Sequence, residues 1–388
     1  MEIRRLNDNE IDQVIELGEF AFQGNFSKED REDIRSRIEP LNIWGAFEGE
    51  RLASKVSMLP MNVYVQGVAM KACGITGVST WPEHRRGGLV RTLIKHALTD
   101  MVEKGQTISL LDPFSVGYYR KFGWELYCDH STAVFTSKEQ FPKPQKTGTG
   151  SFARATKEDW LRLQSIYQQL ATRYTGMIDR DEWWWLNRKF NHFTRKFRAI
   201  VYVDQQGEDQ GYLFYKIKDD NLVVPEFVAL NEEAYEQLWR FIADHDSMAK
   251  TIKVRQLSQT PWQFYLDNPQ VKEERKPFFM ARIVDAQRFL EQFPFQLEDG
   301  ESITFAITDE FAEWNNGNHH VERTHVETLT DTRHDAITVD IRTLVPLLFR
   351  YIDLSILRER GQLSISDDTA QLLERAIPKY KPNLFDAF

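Results

Sequence analysis

The sequence predicts an α+β protein in which two similar units of mixed, mostly antiparallel sheet with flanking helices stand in tandem and a smaller α+β unit follows. Three observations carry this prediction. At 388 residues the chain exceeds one ordinary core, for which roughly 150 residues is the prior. The order of elements read from the N-terminus begins again near Phe152, just after a stretch rich in Pro, Gly, Lys and Thr. Beyond about Ala281 the texture changes once more. The expected division is 1–139, a linker at 140–151, a second unit at 152–280 and a third at 281–388.

In the first unit, residues 2–6 read as a strand, and Asn7-Asp8-Asn9-Glu10 resembles a capping box before the helical stripe Ile11, Val14, Ile15, Leu17, Phe20. Ser27-Lys28-Glu29-Asp30 opens a more polar helix. From Trp44 to Val78, short apolar runs broken by Glu48-Gly49-Glu50 and Gln66-Gly67 predict antiparallel strands joined by tight turns. Leu89, Val90, Leu93, Ile94, Ala97, Leu98, Met101 and Val102 recur at helical spacing, which starts a helix near Gly88, and a strand follows at 107–111. In the second unit, 152–155 reads as a strand and Thr156-Lys157-Glu158-Asp159 caps the stripe Trp160, Leu163, Ile166, Tyr167, Leu170. Strands at 197–203, 212–218 and 221–230 then precede a helix at 232–244. The third unit has strand patterns at 302–308 and 336–340 and helices at 342–351 and 369–376.

The two units differ at one junction. Before the helix near Gly88 the strand stops at Pro82, and the residues at the helix start are Arg85, Arg86, Gly87 and Gly88. A helix N-terminus carries unpaired N–H groups and partial positive charge, so acids, Ser or Thr belong there. Two arginines are unfavourable at that point unless an anion lies between them, and glycines let a phosphate approach the backbone. The corresponding start in the second unit, Ala229-Leu230-Asn231-Glu232-Glu233, is an ordinary acidic one. Only the first unit is therefore expected to hold a phosphate-bearing cofactor.

Composition narrows the partners. A net charge of −9 argues against nucleic acid, which needs a basic face, and favours cationic ligands by long-range steering. Cys73 and Cys128 are too few for a disulfide framework and wrongly spaced for zinc, so no metal is expected and a reducing cytoplasm fits. No apolar run approaches the ~18 residues that span a bilayer, and the N-terminus lacks the apolar core of a signal peptide, so no membrane is expected.

Arg85-Arg86-Gly87-Gly88-Leu89-Val90 resembles the Arg/Gln-x-x-Gly-x-Gly/Ala acetyl-CoA loop of the GNAT acetyltransferases, with Arg85 and Gly88 at the fixed positions and Val90 departing from the usual small residue. That departure, the Val78-Ser79-Thr80-Trp81-Pro82 run before it and Tyr119-Arg120-Lys121-Phe122-Gly123-Trp124 after it resemble the Eis family, a GNAT branch that acetylates amines. The similarity runs the length of the chain and is specific in residues 74–124 and at the C-terminus. It implies tandem GNAT domains, the second degenerate, and a third domain resembling sterol carrier proteins in fold only. The co-substrate it implies is acetyl-CoA: backbone N–H groups of Val78, Ser79 and Thr80 would take the pantetheine arm. Arg86, Gly87, Gly88, Leu89, Val90 and Arg91 would offer N–H groups to the diphosphate with charge from Arg85 or Arg86, and Phe114 and Ser115 would border it.

By the same resemblance Tyr119 is the general acid, with Tyr118 a competitor. The general base is the terminal carboxylate of Phe388, or failing that Asp386. The implied acceptor is a small polycationic amine of aminoglycoside type, acetylated by direct transfer in a ternary complex. A protein lysine or terminal amine is the second option. A non-catalytic module binding CoA or a cationic drug is the option from another class, against which the retention of Tyr119 speaks. The family also implies a homo-oligomer, with a hexamer among the forms. Of the remaining residues, Trp183, Leu186 and Phe190 share one helical face and read as core, Cys73 as packing, and His319-His320 as a solvated loop.

Overall fold

A computed structural model describes residues 1–141, 150–193, 197–257, 262–329 and 336–388. The linker expected at 140–151 lies mostly outside the described residues. The described residues form three sheets, of eight, seven and four strands. The first is built from Glu2–Arg5, Ile43–Glu48, Arg51–Val65, Val68–Thr80, Ile108–Leu111, Met280–Ile283 and Glu125–Leu126 in that spatial order, with the short strand Ile178–Asp179 on Arg51–Val65. The second runs Lys272–Pro277, Asp129–Phe135, Thr251–Gln256, Asn221–Ala229, Asp209–Lys218, Arg198–Val203 and Ser151–Ala155. The third holds Val326–Leu329, Gly317–Glu322, Ser302–Thr308 and Ile337–Asp340.

The sheets trade strands at their borders. Asp129–Phe135, read from the sequence as part of the first unit, pairs in the second sheet, and Met280–Ile283, from the start of the third, sits between Ile108–Leu111 and Glu125–Leu126 of the first. Each sheet thus covers an edge of the other, which would otherwise expose unpaired N–H and C=O groups.

Local chemistry explains the elements around the future site. Asn7 and Glu10 form the capping box, and Ile11, Val14, Ile15 and Leu17 of helix Ile11–Ala21 are buried. Helix Leu89–Glu103 buries Leu93, Ile94, Ala97, Leu98 and Met101 against the first sheet, where each large aliphatic side chain is worth about 1.5–3 kcal/mol. The parallel pair of Val68–Thr80 and Ile108–Leu111 has a short register, Ala72 with Ile108, Cys73 with Ser109 and Gly74 with Leu110. Past Gly74 the two strands part. The second sheet repeats the arrangement: Asn221–Ala229 and Thr251–Gln256 pair in parallel only as far as Val224 with Val254.

Candidate functional site

On its other side the parting strand stays paired to Arg51–Val65, Ser57 opposite Thr76 and Lys55 opposite Ser79, with a bulge between. Gly77 sits in the bulge at φ +58°, a backbone conformation that favours glycine, and a Cβ there would lie 2.9 Å from Lys55 Nζ and push that amine aside. Lys55 Nζ donates to the Gly77 carbonyl at 2.7 Å, and its burial pushes the amine down to about 8. The Ser79 hydroxyl donates to the Gly77 carbonyl, and Ser54 and Thr80 share a hydrogen bond between hydroxyls. Those side chains are spent internally, which leaves the backbone facing the parted side as the part available to a ligand.

The chain then crosses Pro82–His84 as a short 3₁₀ turn to the Arg-Gly junction. Arg85 is extended and its Nε donates to the Thr80 carbonyl at 3.2 Å; Arg86 is left-handed at φ +67°. Gly88 is the N-cap of helix Leu89–Glu103 at φ +80°, with no side-chain cap and no acid in the first turn. A Cβ on Gly88 would meet nothing within 4 Å. The helix start is open, uncapped and flanked by exposed arginines, a fit for a diphosphate. Leu89 and Val90 turn their side chains to the core, so only their N–H groups are available, and the Arg91 guanidinium lies over the Phe311 ring at 4.9 Å, away from such a role.

Tyr119 stands in helix Val116–Arg120, capped by Ser115, and is 3% exposed. Its ring packs edge-on to Tyr118, Phe114 and Trp124 in one cluster with Cys73, Ile75 and Leu111 of the parting strands. Among the described residues its hydroxyl makes no hydrogen bond. Burial, reinforced by Tyr118 and the charge of Asp112, raises its pKa well above that of a free phenol, so it is protonated at any physiological pH. The turn after it is fixed from outside: the fully buried Arg282 donates to the Phe122 carbonyl and pairs with Asp309 of the third unit at 2.5 Å. Gly123, at φ +88°, has no room for a Cβ because that guanidinium occupies the space. Phe114 is 74% exposed beside Tyr118 and Tyr119.

The C-terminal segment is docked. Pro382 bridges to Thr175, Arg255 donates to the carbonyls of Leu384 and Phe385, and Phe385 packs with Tyr212, Phe214 and Val228. Asp386 accepts from Arg180 at 2.9 Å and from the Trp184 indole N–H at 3.0 Å, inside a buried group that also holds Glu226 and Lys189. Asp386 is therefore committed to this ion network. The Phe388 ring meets Trp184 at 6.0 Å and Phe279 at 5.0 Å between centroids. It lies against Gly74, where a Cβ would stand 2.4 Å from Phe388 Cε2. Tyr119 shares a cluster with Cys73 and Ile75 of the parting strand, and Phe388 lies against Gly74 between them, so residues 269 positions apart in sequence reach the same stretch of that strand.

Beside that point lies a cleft of ≈ 490 Å³ between helices Ile11–Ala21 and Lys28–Arg37 and the strands bearing Lys55, Ser57 and Thr76. Thr76 and Gly74 alternate along one strand and share a face, so the cleft and the Phe388 ring are neighbours. Arg37, Glu39, Asp181, Trp183 and Arg188 complete its wall. Nothing in the local pattern marked Lys55 or Arg188. Trp183, expected in the core, is 37% exposed on this wall, because the chain winds as a π-helix from Trp185 to Phe193 and the 3.6-residue face drifts. Trp184 and Trp185 are both buried in the core, and Trp184 also holds the tail through its indole N–H. His319 and His320 are buried in strand Gly317–Glu322, not in a solvated loop. There His319 meets Gln287 and Asn315, His320 meets Thr304, and strand alternation is broken by two polar partners inside. Cys73 is fully buried, and burial pushes its thiol up to about 12. Among the described residues no cluster of three or more His, Cys, Asp or Glu could hold a metal ion, and no helix is long and apolar enough to cross a membrane.

Residues 2–127 match the acetyltransferase (GNAT) domain family, residues 176–283 a second acetyltransferase (GNAT) domain family and residues 286–384 the sterol carrier protein domain. The chain is 25% identical over 307 residues to an uncharacterized N-acetyltransferase of Streptomyces avermitilis, covering 75% of each. To the N-acetyltransferase Eis of Mycobacterium tuberculosis it is 23% identical over 279 residues, 67% of each chain. Its fold is shared with a conserved protein of unknown function from Enterococcus faecalis V583, at a TM-score of 0.92 and 24% identity over 100% of this chain and 99% of that one. Two GNAT domains and a sterol carrier domain in that order mean that this chain belongs to the GNAT N-acetyltransferases, with Eis-like architecture.

Proposed function

We propose that the chain transfers the acetyl group of acetyl-CoA directly to the primary amine of a small acceptor bound in the cleft beside Gly74. The GNAT family implies acetyl-CoA as co-substrate, which supplies an activated thioester carbonyl. The N–H groups at the start of helix Leu89–Glu103 and the charges of Arg85 and Arg86 suit its diphosphate, and the free edge of Val78, Ser79 and Thr80 suits the pantetheine arm. Tyr119, which burial keeps protonated, donates its proton to the sulfur as the C–S bond breaks; the raised phenol is a weaker acid than a thiol of pKa about 8.5, so the step is drawn forward by collapse of the tetrahedral intermediate and the phenolate is reprotonated from solvent. The Phe388 carboxylate takes the proton of the attacking amine, since Asp386 is held by Arg180 and Trp184. The observation that carries this reading is that Tyr119, the Phe388 ring and the cleft all border the one strand that parts from its neighbour after Gly74.

The polycationic, aminoglycoside-like acceptor implied by the resemblance draws support from the net charge of −9 and from Glu39 and Asp181 on the cleft wall. The cations on the same wall weigh the other way and are taken up below. Thiol release from acetyl-CoA, measured with aminoglycosides, polyamines and lysine peptides, tests the reading: turnover with a free amine is the expected result, and none with any amine would sink it. Adding one glycine after Phe388 moves the carboxylate out of position, so a fall in kcat of about 10²-fold is expected with acetyl-CoA affinity kept. Full activity of the extended chain would remove Phe388 from the mechanism.

A further inference from the structure

The cleft is lined by three cations, Arg37, Lys55 and Arg188, and they are not equally satisfied. Arg37 is paired with Asp33 one helical turn away. Lys55 Nζ rests on the Gly77 carbonyl. Arg188 makes no hydrogen bond and no ion pair among the described residues, and its Nε is buried without a partner. It lies over Trp183 and Trp184 at 5.9 and 6.0 Å, contacts that suit a guanidinium's plane and leave its N–H groups unused. The two carboxylates on the wall do not answer it: Asp181 caps the Trp184 N–H at 2.7 Å, and Glu39 is exposed. Asp386, the carboxylate whose charge Arg188 feels, is already bound to Arg180. Burial and the neighbouring Arg37 pull the Arg188 guanidinium down to about 10, with the charge of Asp386 acting less strongly the other way.

A buried, unpaired donor costs free energy that a ligand can recover. Granting the acetyl-transfer reading above, we propose that the acceptor is an amine that also bears an oxyanion, a carboxylate foremost, received by Arg188 while the amine reaches the acetyl group beside Gly74. Trp184 touches both ends of such a molecule's path, its indole 6.0 Å from the Arg188 guanidinium and 6.0 Å from the Phe388 ring, so a short amino acid can reach from one to the other. A free polycation meets Arg188, Arg37 and Lys55 as like charges, so selection works by repulsion as well as by attraction.

Matched amines decide it. Thiol release is measured for ω-amino carboxylates of increasing length, each beside the alkylamine without the carboxylate, with phosphoethanolamine beside ethanolamine and spermidine as the polycation. Arg188 should give the carboxylated members at least ~10-fold higher kcat/KM than their twins at one preferred length. In Arg188→Gln that ratio should fall toward one, and Arg188→Lys should restore part of it. A phosphate preference over carboxylate would uphold the oxyanion at Arg188 and name its source. A wild-type ratio of one or less, a preference for spermidine, or a ratio unmoved in a folded Arg188→Gln would overturn the inference while leaving acetyl transfer standing. Absence of turnover with every amine would overturn both. The wild-type ratios alone suffice should the glutamine variant fail to fold.

Discussion

Arg180→Met is expected to lower the stability of the chain by about 3–5 kcal/mol and to free the C-terminal tail. Arg180 is fully buried over the Tyr167 ring, donates both outer nitrogens to Glu226 at 2.8 and 2.9 Å and also holds Asp386. Methionine fills a similar volume but leaves two buried carboxylates to share Lys189. Burial by itself would raise the Glu226 pKa, but the charges of Arg180 and Lys189 outweigh it and hold the carboxyl below the ordinary range. In the natural protein this contribution is therefore complete above the unfolded carboxylate pKa of about 4.3 and is lost as pH falls below it. In the variant the sign reverses, because a carboxylate stripped of its cation is raised, takes a proton and gains stability on acidification. The gap between the two proteins should narrow from pH 7 to pH 5. Urea titrations at both values, with carboxypeptidase digestion to report the tail, check this; a loss under ~1 kcal/mol with the tail still protected would show that the network does not hold it.

Tyr119→Phe should reduce kcat by at least ~10²-fold while leaving the dissociation constant of acetyl-CoA within a factor of about two. The two effects separate because the ring is the packed part of the residue, sharing its cluster with Trp124, Leu111 and Cys73, while the hydroxyl has no hydrogen bond to lose. Phenylalanine keeps the packing and removes only the transferable proton. Stability should move by under ~0.5 kcal/mol for the same reason. Calorimetric titration with acetyl-CoA and steady-state rates on any accepted amine provide the test. Unchanged turnover would transfer the role to Tyr118 or to water.

The parts of the site fixed by local pattern were legible from the residues. Strand, Pro82, two arginines and two glycines before an apolar helical stripe could only be a helix start without an acidic cap, and Gly88 at φ +80° with no side-chain cap is that. Tandem repetition was legible because capping boxes and stripes recur, as at Asn7 and Thr156. What was not legible depends on distant partners. Strand Met280–Ile283 has no pattern that tells which sheet will accept it, and Arg282 within it becomes a clamp on Gly123 only after folding. Arg188 looks like any charge between aromatics until the cleft forms around it. Asp386 and Phe388 both touch Trp184, yet one joins an ion network and the other an aromatic contact, and no spacing rule divides them.

The second GNAT domain has parted strands like the first, but the tail crosses there, clipped by Arg255 and Phe385, and three residues later Phe388 arrives at the parting in the first domain. With Phe388 in the role proposed for it, the second domain is the jig in which a working part of the first is held to length. Its unfolding would then release that part, so turnover is expected to fail at the melting temperature of the second domain. Substitutions in it far from any substrate would then be scored as catalytic lesions.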